Sequence, residues 1–159
     1  MIRVRVIAMG RLKEDFLRSA VAEYQKRLSR YCRLEIVELE PCLLPDRPAE
    51  REIAAALEKE GKKILEKIPQ GAQTVALCIE GKQLSSEEFA GQVADCAAEG
   101  REIALVIGSS YGLSAAVKER VALRLSFSKM TFPHQLFRVL LLEQLYRAFQ
   151  INAGGEYHK

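Results

Sequence analysis

Ile2, Val4 and Val6 alternate with Arg3 and Arg5, the two-residue period of a half-buried strand, and Gly10 marks its end. Over 13–31 the period lengthens. Phe16, Leu17, Ala20, Val21, Tyr24 and Leu28 recur at helical spacing and predict an amphipathic helix. A second β-branched, alternating stretch follows at 34–39. The segment 41–48 carries three of the five prolines and is predicted irregular. A helix over 49–68 gathers Ile53, Leu57, Ile64, Leu65 and Ile68 on one face.

The second half changes character. The unbroken apolar run 74–79 and the run Ile103–Ile107 read as strands covered on both faces, the mark of a parallel sheet. Between them, Ser85 and Glu88 form a capping box that opens a helix closed by Gly100. A short helix over 114–121, a strand over 123–127 and a long helix over 133–151 complete the pattern. Strands alternating with helices predict one α/β domain over 1–159, with a mostly parallel sheet and helices on both faces.

The last helix is apolar nearly all round. At about 100° per residue, Phe137, Leu141, Leu142, Leu145 and Phe149 form one sector, and Leu136, Val139, Leu140 and Tyr146 cover much of the rest. A chain this short is expected to bury the second face against another subunit. Arg138 falls in the first sector, between Leu145 and Phe149. A buried guanidinium must be paired or aimed at an anion; Glu143 of a partner subunit is one candidate for the pair.

Composition narrows the class. The 159 residues are 48% hydrophobic and 28% charged, which suits a soluble globular chain. No apolar run reaches the roughly 18 to 20 residues of a membrane span, and charges inside the first apolar segment exclude a signal peptide. Cys32, Cys42, Cys78 and Cys96 show no paired spacing, so they read as reduced thiols rather than a metal site or a disulfide frame. Residues 101–159 hold 8 basic side chains against 4 acidic ones. That excess suits a polyanion partner, yet it is too small to hold free RNA tightly at physiological salt.

The chain lacks the common phosphate-loop, dinucleotide, zinc-protease and nucleophile-elbow motifs. Two histidines without neighbouring acids speak against a metallohydrolase or a serine triad. In an open α/β sheet, ligands sit at the carboxyl ends of the strands. The candidate segments are therefore 77–82, 108–112 and 126–134. Gly108 and Gly112 let backbone come close to a ligand there.

The residues 125–135 (Leu-Ser-Phe-Ser-Lys-Met-Thr-Phe-Pro-His-Gln), Arg138, 143–148 (Glu-Gln-Leu-Tyr-Arg-Ala) and the ending Tyr157-His158-Lys159 carry a specific resemblance. The chain resembles the ribosomal RNA large subunit methyltransferase H family, the smallest SPOUT-class methyltransferases, over its whole length. The resemblance implies a C-terminal trefoil knot, a cytoplasmic homodimer and S-adenosyl-L-methionine as cofactor. It also implies methylation at N3 of a pseudouridine in a 23S rRNA hairpin loop on assembled ribosomes, with no role for DNA, membrane or metal. By matching position, the cofactor contacts would be Leu77, Gly108, Phe127, Ser128, Lys129, Met130, Thr131 and Phe132.

Methylating an imide nitrogen requires a base. His134 and His158 are the candidates, being the side chains that ordinarily titrate near neutrality. His134 begins the last helix, whose dipole disfavours its protonated form. Arg138 is expected to stabilise charge on the uracil oxygens and Tyr157 to stack on or bond the base. Arg138, Tyr157 and His158 are thus the expected substrate-side residues, with His134 supporting the cofactor loop. Two rivals remain at this stage: a non-catalytic ribosome assembly factor and a doubly wound nucleotide-binding enzyme.

Overall fold

A computed structural model describes residues 1–158, with the side chain of His158 outside the description. The elements run β1 (Ile2–Met9), α1 (Asp15–Leu28), β2 (Cys32–Leu39), α2 (Glu50–Lys67), β3 (Gln73–Gln83), α3 (Ser86–Ala98), β4 (Ile103–Ile107), α4 (Ala115–Arg120), β5 (Leu123–Ser126) and α5 (His134–Asn152). A single 3-10 turn, Glu156–His158, follows α5.

The five strands form one sheet in the order β2-β1-β4-β3-β5, parallel at every pairing. This order is consistent with the knot that the resemblance implies. β4 sits at the centre with β1 beside it, and Val4, Val6, Leu105 and Val106 are almost wholly buried. Alternate side chains feed two cores. On one face, Val4, Val6, Val75, Leu105 and Leu125 meet Val21 and Leu28 of α1, Phe89 and Val93 of α3, and Leu141, Leu142 and Leu145 of α5. On the other, Ile7, Met9, Ala76 and Val106 meet Ile64 of α2 and Val117 of α4. Helices on both faces are what doubly buried strands require.

Local sequence fixes the ends of these elements. Ser85 Oγ accepts from Glu88 N at 3.1 Å and the Glu88 carboxylate accepts from Ser85 N at 2.7 Å, the reciprocal cap that starts α3. Asp15 lies in the first turn of α1 and Lys26 and Arg27 in its last, each sign facing the favourable end of the dipole.

β3 departs from the expected 74–79 strand. It continues to Gln83, and its pairing with β5 breaks: Leu77 and Lys82 both oppose Leu125. The residues between them leave the ladder. A Cβ at Gly81 would lie 2.7 Å from the Arg124 carbonyl oxygen, so only glycine lets β3 cross the backbone of β5 this closely. Polar Glu80, Lys82 and Gln83 concealed this extension from a pattern reading.

α5 divides its apolar residues between the core and the surface. Its buried stripe is Arg138, Leu141, Leu142, Leu145, Ala148 and Phe149. Val139, Tyr146 and Ile151 pack partly against the same chain's core, so the protomer absorbs much of the second apolar face. Leu136 and Leu140, one turn apart, remain half-exposed. Cys32, Cys78 and Cys96 are buried free thiols and Cys42 is a half-buried one; burial pushes the Cys32 thiol up to about 11. Among the described residues, no helix is long and apolar enough to cross a membrane, and no cluster of side chains could hold a metal ion.

Candidate active site

The break within β3 and the carboxyl ends of β4 and β5 open onto one cleft of about 770 Å³, within the size range of small-molecule sites. Leu77 and Glu80 come from the segment where β3 leaves its ladder, Gly108 from the loop after β4, and Phe127, Ser128, Thr131, Phe132 and His134 from the loop after β5. The three segments singled out in the sequence thus converge on one opening.

Two of the expected contacts stand apart from it. Lys129 and Met130 belong to the same loop but do not line the cleft, and Met130 is 72% exposed. That loop is shaped by its own serines: Ser126 Oγ donates to the Ser128 carbonyl at 3.0 Å, and Ser128 Oγ accepts from Met130 N at 3.0 Å. Phe137 meets Phe127 and Phe132 edge-on, with ring centroids 5.8 and 5.4 Å apart, giving the cleft an aromatic wall. At its rim, Lys118 pairs with Glu80 at 2.5 Å and holds the Glu80 carboxyl below its usual range.

Gly108 lines the cleft, and its missing side chain has a further use. A Cβ there would stand 2.3 Å from the Gly112 carbonyl oxygen. The missing side chain lets the loop close on itself, where Gly112 N donates to the Ser109 carbonyl at 2.9 Å. The loop is also anchored from below. Ser109 Oγ donates to Glu60 Oε1 at 2.9 Å, and Cys42 N donates to Glu60 Oε2 at 3.1 Å. Glu60 is only 4% exposed, and the sequence reading passed over it. The available signal was position: with Ala56 and Ile64 it lies on the buried stripe of α2, where a carboxylate needs a partner.

The first turn of α5 is tied to two strand-end loops. His134 Nδ1 lies 3.3 Å from Ser110 Oγ, and Gln135 Oε1 accepts from Lys13 N at 3.1 Å. Burial, then the charges of Arg138 and Lys13, lower the His134 pKa below its ordinary 6.5. The ring is therefore neutral at physiological pH and able to accept a proton.

Arg138 lies elsewhere. It is 2% exposed, pairs with Glu38 at 2.5 Å and donates to the Gly10 carbonyl at 2.9 Å. Its acidic partner is thus on β2 of its own chain, not Glu143 of another. It lines a second cavity of about 400 Å³ rather than the cleft.

Tyr157 folds back on the far half of α5. Its ring meets Tyr146 edge-on at 5.0 Å and lies under the Arg147 guanidinium at 4.8 Å. Its hydroxyl donates to Glu143 at 3.4 Å, and Arg147 holds Glu143 at 2.6 Å. About 15 Å of helix axis separates this clamp from His134, so one protomer does not bring Tyr157 to its own cleft. The expected role of His158 rests on a side chain outside the described residues.

A family model described as "Predicted SPOUT methyltransferase" matches residues 2–158. Among curated proteins, the "Ribosomal RNA large subunit methyltransferase H" of Clostridium novyi is 51% identical over 99% of this chain and 100% of its own length. The proteins of the same name from Clostridium beijerinckii and Clostridioides difficile are 50% and 46% identical over the same shares. Among solved structures, a probable methylase family protein from Haemophilus influenzae Rd KW20 superposes with a TM-score of 0.52 at 13% identity, covering 95% of this chain and 66% of that one. This last likeness speaks for the fold alone. Matched almost end to end by the family model, and about half identical to these full-length relatives, the chain belongs to the SPOUT methyltransferases, in the ribosomal RNA large subunit methyltransferase H family.

Proposed function

We propose that this protein is a cytoplasmic S-adenosyl-L-methionine-dependent methyltransferase. In this reading it acts as a homodimer on N3 of a pseudouridine in a 23S rRNA hairpin loop of assembled ribosomes. The observation that carries the reading is the convergence of three strand-end segments on one aromatic-walled cleft. The residues present fit the cofactor: a cleft of about 770 Å³ offers apolar surface beside loop backbone, and backbone donors and acceptors can read an adenine edge. Leu77, Gly108, Phe127, Ser128, Thr131 and Phe132 would hold it. Lys129 and Met130 would contribute through the shape of their loop.

When bound, the cofactor supplies an electrophilic methyl carbon on a positively charged sulfur. The protein's own share is positioning, exclusion of water and removal of the imide proton. Phe127, Phe132 and Phe137 keep the cleft dry. His134, the histidine of the cleft wall, is neutral and suited to take the proton, with Ser110 orienting its ring. Tyr157 and His158 would serve the cleft of the second subunit, because the clamp of Glu143 and Arg147 holds the tail far from this one. Arg138 fixes the Gly10 turn from outside the cleft.

Calorimetry with S-adenosyl-L-methionine, followed by transfer of a labelled methyl group to ribosomes, tests the reading. We expect binding and transfer to ribosomes carrying the pseudouridine, and none to ribosomes with uridine there. No cofactor binding would leave a non-catalytic assembly factor as the better description.

A further inference from the structure

The second cavity lies beyond the first turn of α5 from the cleft and at the same carboxyl edge of the sheet. Its wall contains Arg11, Arg18, Gln25, Glu38 and Arg138. Three guanidiniums therefore face one carboxylate. Glu38 pairs with Arg138, while Arg18 is held by the carbonyls of Leu12 and Lys13 and by Asp15 outside the cavity. Arg11 is exposed and has no hydrogen-bond or ion-pair partner among the described residues. Arg138 Nε is buried without an acceptor.

We propose that this cavity receives a phosphate of the RNA strand whose base enters the neighbouring cleft; the proposal rests on the rRNA methyltransferase reading above. A net excess of positive charge with planar, forked donors matches a phosphodiester, and the Gln25 amide adds a neutral donor. Position supports the same ligand. His134 lines the cleft and Arg138 the cavity, four residues apart on α5 and about 6 Å along its axis. A strand presenting one base to His134 passes this wall. The pairs with Glu38 and Asp15 account for two guanidiniums of three and leave Arg11 and the Arg138 Nε without a partner among the described residues.

Arg11→Gln and Arg11→Glu test the site, because Arg11 touches no partner and its loss leaves the fold intact. Arg30→Gln is the control: Arg30 is an exposed arginine past the far end of α1. Ribosome binding is measured by co-sedimentation over a salt series, alongside cofactor affinity and methylation kinetics. For Arg11→Gln we expect cofactor affinity and kcat to hold and the ribosome KM to rise roughly three- to tenfold. The salt slope should fall by about one. Arg11→Glu should weaken binding further, and Arg30→Gln should match wild type.

Unchanged KM and slope in both Arg11 variants, with wild type still methylating ribosomes, overturn the phosphate cavity and leave the enzymatic reading intact. Wild type that binds ribosomes without methylating them removes the enzymatic reading, while the salt slope still decides the cavity. Absence of ribosome binding removes both.

Discussion

Ser109 Oγ donates to Glu60 at 2.9 Å, joining the loop after β4 to a carboxylate inside the buried face of α2. The same carboxylate accepts from Cys42 N, so one side chain fixes two loops. Glu60→Ala leaves both donors without a partner and should cost about 1–3 kcal/mol, read from the urea midpoint at unchanged slope. Cofactor affinity should fall with it. An alanine variant of wild-type stability would show that Glu60 anchors neither loop.

Gly108→Ala should abolish cofactor binding by opening its loop, since the added carbon meets the Gly112 carbonyl at 2.3 Å. Gly91→Ala is the matched comparison. Nothing stands within 4 Å of its Cβ position, and in the exposed interior of α3 it should add up to about 1 kcal/mol of stability. Calorimetry on both variants checks the pair, and retained binding in Gly108→Ala would refute the steric account.

The His134 pKa is lowered from 6.5 by burial first and then by Arg138 and Lys13. The neutral ring is favoured in the folded protein, so its contribution to stability is complete above pH 6.5. As pH falls below 6.5, the unfolded chain takes up a proton that the folded one resists, and stability declines until the folded pKa is passed. His134→Gln should therefore flatten the stability profile on the acid side of that value. An NMR titration of the ring should give a midpoint below 6.5, moved upward by Lys13→Gln. A midpoint at or above 6.5 contradicts the assignment.

The Arg138–Glu38 pair is asymmetric: Glu38's side chain is 38% exposed and that of Arg138 only 3%. Glu38→Ala strands a buried guanidinium and should cost about 3–5 kcal/mol. Arg138→Met fills the same space and leaves Glu38 able to hydrate, so it should cost less. Denaturation midpoints in the opposite order would mean that the pair is not what holds this corner.

Leu136 and Leu140 are the apolar remainder of α5, and we expect them in a two-fold contact. Light scattering should give about twice the chain mass of 17.9 kDa, and Leu140→Glu should halve it. Removing the residues after Gly155 should leave the dimer intact and stop turnover. A wild-type monomer would rule out a tail that serves a second cleft.

Much of the fold was legible because periodicity and capping are local. The Ser85–Glu88 box, the run Ile103–Ile107 and the three strand-end segments all lay in short windows of sequence. The remainder depends on partners distant in the chain. Nothing near Arg138 points to Glu38, 100 residues away, nor do the polar residues after Ile79 reveal that they pair with β5. The packing of Gly108 against Gly112 is not legible in sequence, because the two become close only once the loop has closed. Glu60 was passed over because charge in a helix usually means solvent.

The position of β3 in the sheet sets an order of assembly. Both of its neighbours, β4 and β5, come later in the chain, whereas β1 and β2 can pair as soon as they are made. During synthesis the apolar run 74–79 therefore emerges with no strand to join. Residues 84–107 must follow first, a wait of roughly 1–5 s at cellular elongation rates. For that interval the nascent chain exposes an apolar, strand-forming segment, and the earlier-made α1 and α2, whose side chains share its two cores, are the surfaces available to cover it.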